Sequence, residues 1–289
     1  FGCEVCAVKF IKFFILDFRR GMHTVWRLYL CGAALFALLC LDFWNRSCIF
    51  LELYPDASRS LGDLALYIFG GMKKFIPTPG AVFPFPTVWL LVLTLACFSS
   101  LWYPLNDLYG FGKTLLTACQ SRKRWYLAKA VWCGVTVSLY FLLGWAVLLF
   151  GCLAMGGKFT WTISPYMMEL MEITDVASTV EEWRLTLQLT LLPWLAAVTL
   201  SQLQLCLSLW MQPVLGWVVS IVVLLSSAYY ASPFLLGNYA MALRDQQVLS
   251  GGVDCRVGAA YCLVLLLLSV LTGLVSFRHT DILGKEGKS

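Results

Sequence analysis

The chain has 289 residues, of which 60% are hydrophobic and only 13% charged, with a formal net charge of +5. Soluble domains carry about 25% charged residues, and a single soluble core of this size does not hide so much apolar surface. The composition excludes an ordinary soluble domain and points to a bilayer, where a spanning helix needs about 20 mostly apolar residues.

The N-terminal 1–24 segment comes first. Between Val8 and Arg20 it mixes Lys9, Lys12, Asp17, Arg19 and Arg20 with Phe10, Ile11, Phe13, Phe14, Ile15, Leu16 and Phe18. That mixture predicts a helix lying along the inner membrane surface, aromatics down and cations toward anionic headgroups. Six apolar runs follow, near residues 25–44, 87–104, 130–155, 187–210, 214–234 and 259–277. Each is too long for a buried strand and lacks two-residue alternation. Helices also satisfy their own backbone in lipid, as open strands do not. The expected fold is therefore an all-α integral membrane protein with six transmembrane helices, forming one domain over 1–289. The first run reads as a span rather than a signal peptide, because it is long and has no small-residue cleavage site.

Lys and Arg set the orientation. With the N-terminus cytoplasmic, the inside segments 1–27, 105–129, 209–215 and 278–289 hold 13 of these residues. The longer outside segments 45–86, 156–186 and 235–256 hold 8. Both termini are thus expected in the cytoplasm. The positive charge faces lipid and partners there and does not suggest nucleic acid. Trp125 and Tyr126 fall near the start of the third run and are expected as interfacial anchors, together with Lys9, Lys12, Arg19 and Arg20.

Little in the chain speaks for catalysis. Gly112-Lys113-Thr114 imitates the end of a phosphate-binding loop, but that motif needs a glycine where Asp107 stands, and it must follow a strand. Leu249-Ser250-Gly251-Gly252 imitates an ABC ATPase signature, but Val253 breaks it; its glycines read as a turn. Asn45-Arg46-Ser47 is a glycosylation-type triplet set against a span end. His23 and His279 flank the first and last spans. Asp42 is the one acid inside a predicted span, close enough to the interface to be hydrated. The Cys3-Glu4-Val5-Cys6 spacing has no second pair, and Cys48 and Cys255 lie in predicted outside loops where they could pair. No catalytic residue and no metal site is expected.

The inside loop between the second and third spans is the most distinctive stretch. A short amphipathic helix is expected over Lys113 to Cys119, with Leu115 and Leu116 on it, followed by the basic turn Ser121-Arg122-Lys123-Arg124. Ser121, Arg122, Trp125, Tyr126, Leu127, Ala128 and Lys129 resemble the cytoplasmic loop of ABC-2 type permeases, the membrane subunits of many bacterial ABC exporters. The short Met211-Gln212-Pro213 turn, the Pro/Gly-broken segment from Ser232 to Gly252, and the ending Phe277-Arg278-His279-Thr280-Asp281-Ile282-Leu283 are similar as well. Asp107-Leu108-Tyr109-Gly110 stands where that family often has a Glu-Arg pair.

The resemblance implies a coupling helix between spans two and three, with Lys113, Leu115, Leu116, Ser121, Arg122, Lys123 and Arg124 contacting a separate ATPase. That subunit would hold the ATP and Mg, with no cofactor in this chain. It also implies a second permease copy as homodimer or heterodimer partner, a bacterial inner membrane location, and export of a hydrophobic or amphipathic drug, lipid or peptide. A membrane scaffold or assembly protein and an intramembrane enzyme are the competing readings.

Overall fold

A computed structural model describes residues 2–53, 58–80, 82–110, 116, 121–171, 173, 182–246 and 252–279. Among these residues the chain is all-helical, with no strand. The elements in order are α1 (Gly2–Leu53), α2 (Leu61–Phe69), α3 (Thr87–Ser99), α4 (Tyr103–Tyr109), α5 (Arg122–Ala154), α6 (Pro165–Leu170), α7 (Glu182–Leu207), α8 (Pro213–Tyr229), α9 (Leu236–Tyr239) and α10 (Cys255–His279).

Five stretches are long and apolar enough to cross a membrane: Asp17–Ile49, Thr87–Leu108, Arg122–Ala154, Glu182–Leu207 and Cys255–His279. The sixth expected span is α8, which has 17 residues. At 1.5 Å per residue it covers about 26 Å, short of a hydrocarbon core of about 30 Å. It stops at Tyr229 because Ser232 and Pro233 follow; proline cannot continue a helix. The second span is not one helix. α3 ends at Ser99 and α4 begins at Tyr103, with Pro104 in its first turn.

The stretch 8–20, expected as a helix along the membrane surface, is helical and runs without a break into the first span. Gly2 to Leu53 is one helix of 52 residues. No proline occurs in it, and nothing in the sequence breaks it before the first span.

α7 is the most buried of the long helices and forms the centre of the bundle. Its polar side chains reach carbonyls on neighbouring helices, as small polar groups do in lipid. Gln202 Nε2 donates to Ala130 O at 2.7 Å, Gln188 Nε2 to Tyr239 O at 2.8 Å, and Thr199 Oγ1 to Cys262 O at 3.2 Å. Gly216 and Ser220 of α8 turn toward Gln204 of α7, and Ser220 Oγ donates to Gln204 Oε1 at 3.3 Å. Their small-xxx-small spacing thus serves packing within the chain.

At one end of the bundle, two connecting segments lock together around a buried carboxylate. Ser60 caps α2 in a reciprocal box with Asp63, a motif visible as S-x-x-D. Asp63 is fully buried. Its Oδ1 accepts from Ser164 N at 2.8 Å. Its Oδ2 accepts from Ser60 N at 3.1 Å, Tyr166 Oη at 3.3 Å and Ser164 Oγ. Burial pushes the Asp63 carboxyl above its ordinary value of 3.8, outweighing the opposing pull of its Ser164 and Ser60 donors. The native state then holds the proton more tightly than the unfolded chain. Stability from this group is full below about pH 3.8 and falls as pH rises through the native pKa.

Asp63→Asn is expected to flatten that slope and to cost about 1–3 kcal/mol. A protonated carboxyl can turn its one O–H toward a hydroxyl, but an amide sets an N–H against a backbone N–H in either orientation. Thermal unfolding of both proteins from pH 4 to 8 checks this; equal slopes would contradict it.

Candidate functional site

The opposite end of the bundle holds a buried charged cluster built from three elements. α1 supplies Asp17, α4 supplies Tyr103 and Asp107 one turn apart, and α5 supplies Lys129 two turns from its start. Lys129 Nζ lies 2.6 Å from Asp17 Oδ1 and 2.7 Å from Asp107 Oδ2. Its side chain is 1% exposed, and those of the two acids are 6% and 5% exposed. Tyr103 Oη donates to Asp17 Oδ1 at 2.5 Å and to Asp17 O at 2.7 Å. The ammonium also sits 4.4 Å from the centroid of the Tyr103 ring and 5.4 Å from that of Trp125, within cation–π range.

Close backbone approach makes this possible. A Cβ at Gly21, one turn beyond Asp17, would lie 2.3 Å from Trp132 Nε1 and 2.8 Å from the Tyr103 ring. Only glycine lets α1 come this near to α4 and α5. The apolar surround comprises Val25, Leu105, Leu108, Trp125, Tyr126, Cys133, Leu205, Leu209 and Phe277. Ion pairs so placed lose much hydration, and their attraction repays it only with good geometry. Here the short contacts to the two carboxylates are charge-assisted.

Asp107 and Lys129 bracket the loop between α4 and α5, so both of its stems are fastened to α1. Of the residues expected to couple to a partner, Lys113 and Leu115 lie outside the described residues. Leu116 is half-buried against the cluster's apolar surround. Ser121 stands at the N-cap of α5 with extended backbone. Arg122, Lys123 and Arg124 are exposed in the first turn of α5, and Arg122 Nη1 donates to Arg278 O at 2.9 Å.

The side chains of Lys9 and Lys12 lie outside the described residues; Arg19 and Arg20 are exposed. Trp125 and Tyr126, expected as interfacial anchors, point inward instead. Trp125 stacks on Phe277 at 4.9 Å, and Tyr126 is buried against Phe277 and Gly273. Both open α5, and that face of the helix packs on α10.

The other singled-out groups lie elsewhere. Asp42 pairs with Arg46 at 3.1 Å and accepts from the Tyr67 hydroxyl in a half-exposed position. His23 and His279 are exposed. Cys48 and Cys255 are free. Among the described residues no group of three His, Cys, Asp or Glu is placed to hold a metal ion.

Several long apolar helices around a buried polar centre define a multi-pass, all-helical protein of the membrane type. The chain belongs to the DUF2705 family, described as a protein of unknown function, whose model matches residues 72–283. No curated protein and no solved structure matches it.

Proposed function

We propose that this chain is the membrane-spanning permease subunit of an ATP-driven exporter of the ABC-2 type. In this reading α8 completes six spans and both termini are cytoplasmic. The loop between α4 and α5 meets a separate ATPase, which binds and hydrolyses ATP. A second permease copy completes the pathway for a hydrophobic or amphipathic substrate, in a bacterial inner membrane. The observation that carries the reading is the fastening of both loop stems, through Asp107 and Lys129, to Asp17 of α1. A push on a loop held this way moves α1, α4 and α5 together, where a loose loop would absorb it.

The basic turn Arg122 to Arg124 lies exposed at the base of this loop, within reach of a partner's acidic rim or of lipid phosphates. Leu115, together with the part of Leu116 that the cluster's apolar surround leaves uncovered, would fill an apolar groove on the partner. Losing an apolar anchor from a buried contact costs about 1–3 kcal/mol or more, and an exposed ion pair contributes only about 0–1 kcal/mol. Leu115→Asp with Leu116→Asp is therefore expected to weaken copurification with the ATPase more than Arg122→Ala does, and to uncouple hydrolysis from transport. A double variant that retains its ATPase and transports normally would show that this loop does not couple the two.

A further inference from the structure

Far from the ion cluster, α1 and α5 part to leave an apolar groove of about 340 Å³, within the size range of small-molecule sites. One wall is Ala37, Cys40, Leu41 and Trp44; the other includes Phe150, Gly151, Ala154 and Met155. The groove opens outward: Leu41, Trp44 and Phe150 are exposed, on two of the helices apolar enough to span a membrane. Ala37 and Ala154 put only methyl groups on its walls, and at Gly151 the two helices come so close that an added Cβ would lie 2.8 Å from Cys40 Sγ.

Arg59 bridges the two walls at the groove's end. Its Nε donates to Ser47 Oγ at 2.7 Å, and Ser47 Oγ donates in turn to Trp44 O at 2.8 Å. Nη2 reaches Cys48 Sγ at 3.1 Å, and Nη1 reaches Met155 O at 3.4 Å. These contacts fix a half-buried guanidinium just past the groove, beside its last lining residue Met155, and use three of its five N–H groups. No described carboxylate pairs with it. A fixed cation with spare donors, set where an apolar groove meets the end of two spanning helices, matches a molecule with a long apolar chain and a phosphate. Arginine's fork suits phosphate oxygens.

We propose that this groove is a glycerophospholipid site, one acyl chain lying between α1 and α5 and the phosphate held by Arg59. The lipid comes from the leaflet at the Trp44 end of α1. The site stands independently of the exporter reading.

The test titrates purified, delipidated protein in detergent with dioleoyl-phosphatidylglycerol and counts bound lipid by native mass spectrometry. Dioleoylglycerol, with the same chains and no phosphate, is the control. The wild type is expected to retain one saturable phospholipid. Arg59→Gln should weaken it at least tenfold while leaving the weaker binding of dioleoylglycerol unchanged. Ala154→Phe fills the groove from an exposed position and keeps Arg59, so it should weaken both ligands even if Arg59→Gln fails to fold. Wild-type phospholipid binding in Ala154→Phe would overturn the proposal. So would equal affinity of the wild type for the two ligands.

Discussion

Replacing Lys129 with methionine is expected to destabilise the protein by about 3–5 kcal/mol, because it leaves two buried carboxylates facing each other without their shared cation. Methionine matches the length of the lysine stem, so little volume is lost, and the effect isolates charge. Tyr103 remains as a donor to Asp17, but a hydroxyl does not replace an ammonium 2.6 Å and 2.7 Å from two acids. The triple change Asp17→Asn, Asp107→Asn and Lys129→Met removes the uncompensated charge and should recover much of the loss. Buried ion groups are often replaceable as a set yet intolerant of losing one member. Thermal unfolding in detergent, run on the single and triple variants, decides between this and a hydrated cluster. If Lys129→Met unfolds within about 1 kcal/mol of wild type, well short of the cost of stranding a buried charge, the cluster is hydrated and does not hold the loop stems.

The spanning helices were legible because lipid imposes length and apolarity on each segment separately. Details that depend on neighbours were not. The continuity of α1 through residue 20 follows from the lack of any breaker, but its mixed Lys, Arg and Phe pattern reads equally as a surface helix. Trp125 and Tyr126 read as interfacial rings by position, and only the packing of α10 shows that they face Phe277. The ion cluster joins residues 112 and 22 positions apart, so no local spacing announces it. One signal was available: Lys129 is a lone cation between Ala128 and Ala130, where a span is beginning and a charge needs a partner. Asp63 was also findable, through the Ser60-Leu61-Gly62-Asp63 capping pattern. Asp42 drew attention by lying inside a predicted run, yet it is the less buried of these two acids.

At the other end of the bundle, Arg244→Met is expected to destabilise the protein by about 3 kcal/mol or more, because it strands several buried acceptors. Arg244 is 2% exposed, and its guanidinium is spent on backbone oxygens and one side-chain amide. Nε donates to Met72 O at 3.1 Å and Nη2 to Lys73 O at 3.3 Å, which ties down the chain leaving α2. Nη2 also donates to Ala228 O at 2.5 Å, and Nη1 to Ser227 O and Asn238 Oδ1. Ser227 and Ala228 lie in the last turn of α8, whose final carbonyls have no partner within the helix. A cation there also meets the negative end of the helix dipole. Methionine would strand these acceptors in a buried setting, each costing about 1–3 kcal/mol before relaxation. Arg244→Lys keeps the charge but has three donors on a point-like head, so it should fall between methionine and wild type. Because Leu243 N also donates to Gly70 O at 3.0 Å, loosening should spread along this junction. Limited proteolysis should then cut within 230–254 in Arg244→Met before the spanning helices unfold. A methionine variant as stable and protease-resistant as wild type would mean that α8 is held by its packing on α3, α7 and α9 and needs no cap from Arg244.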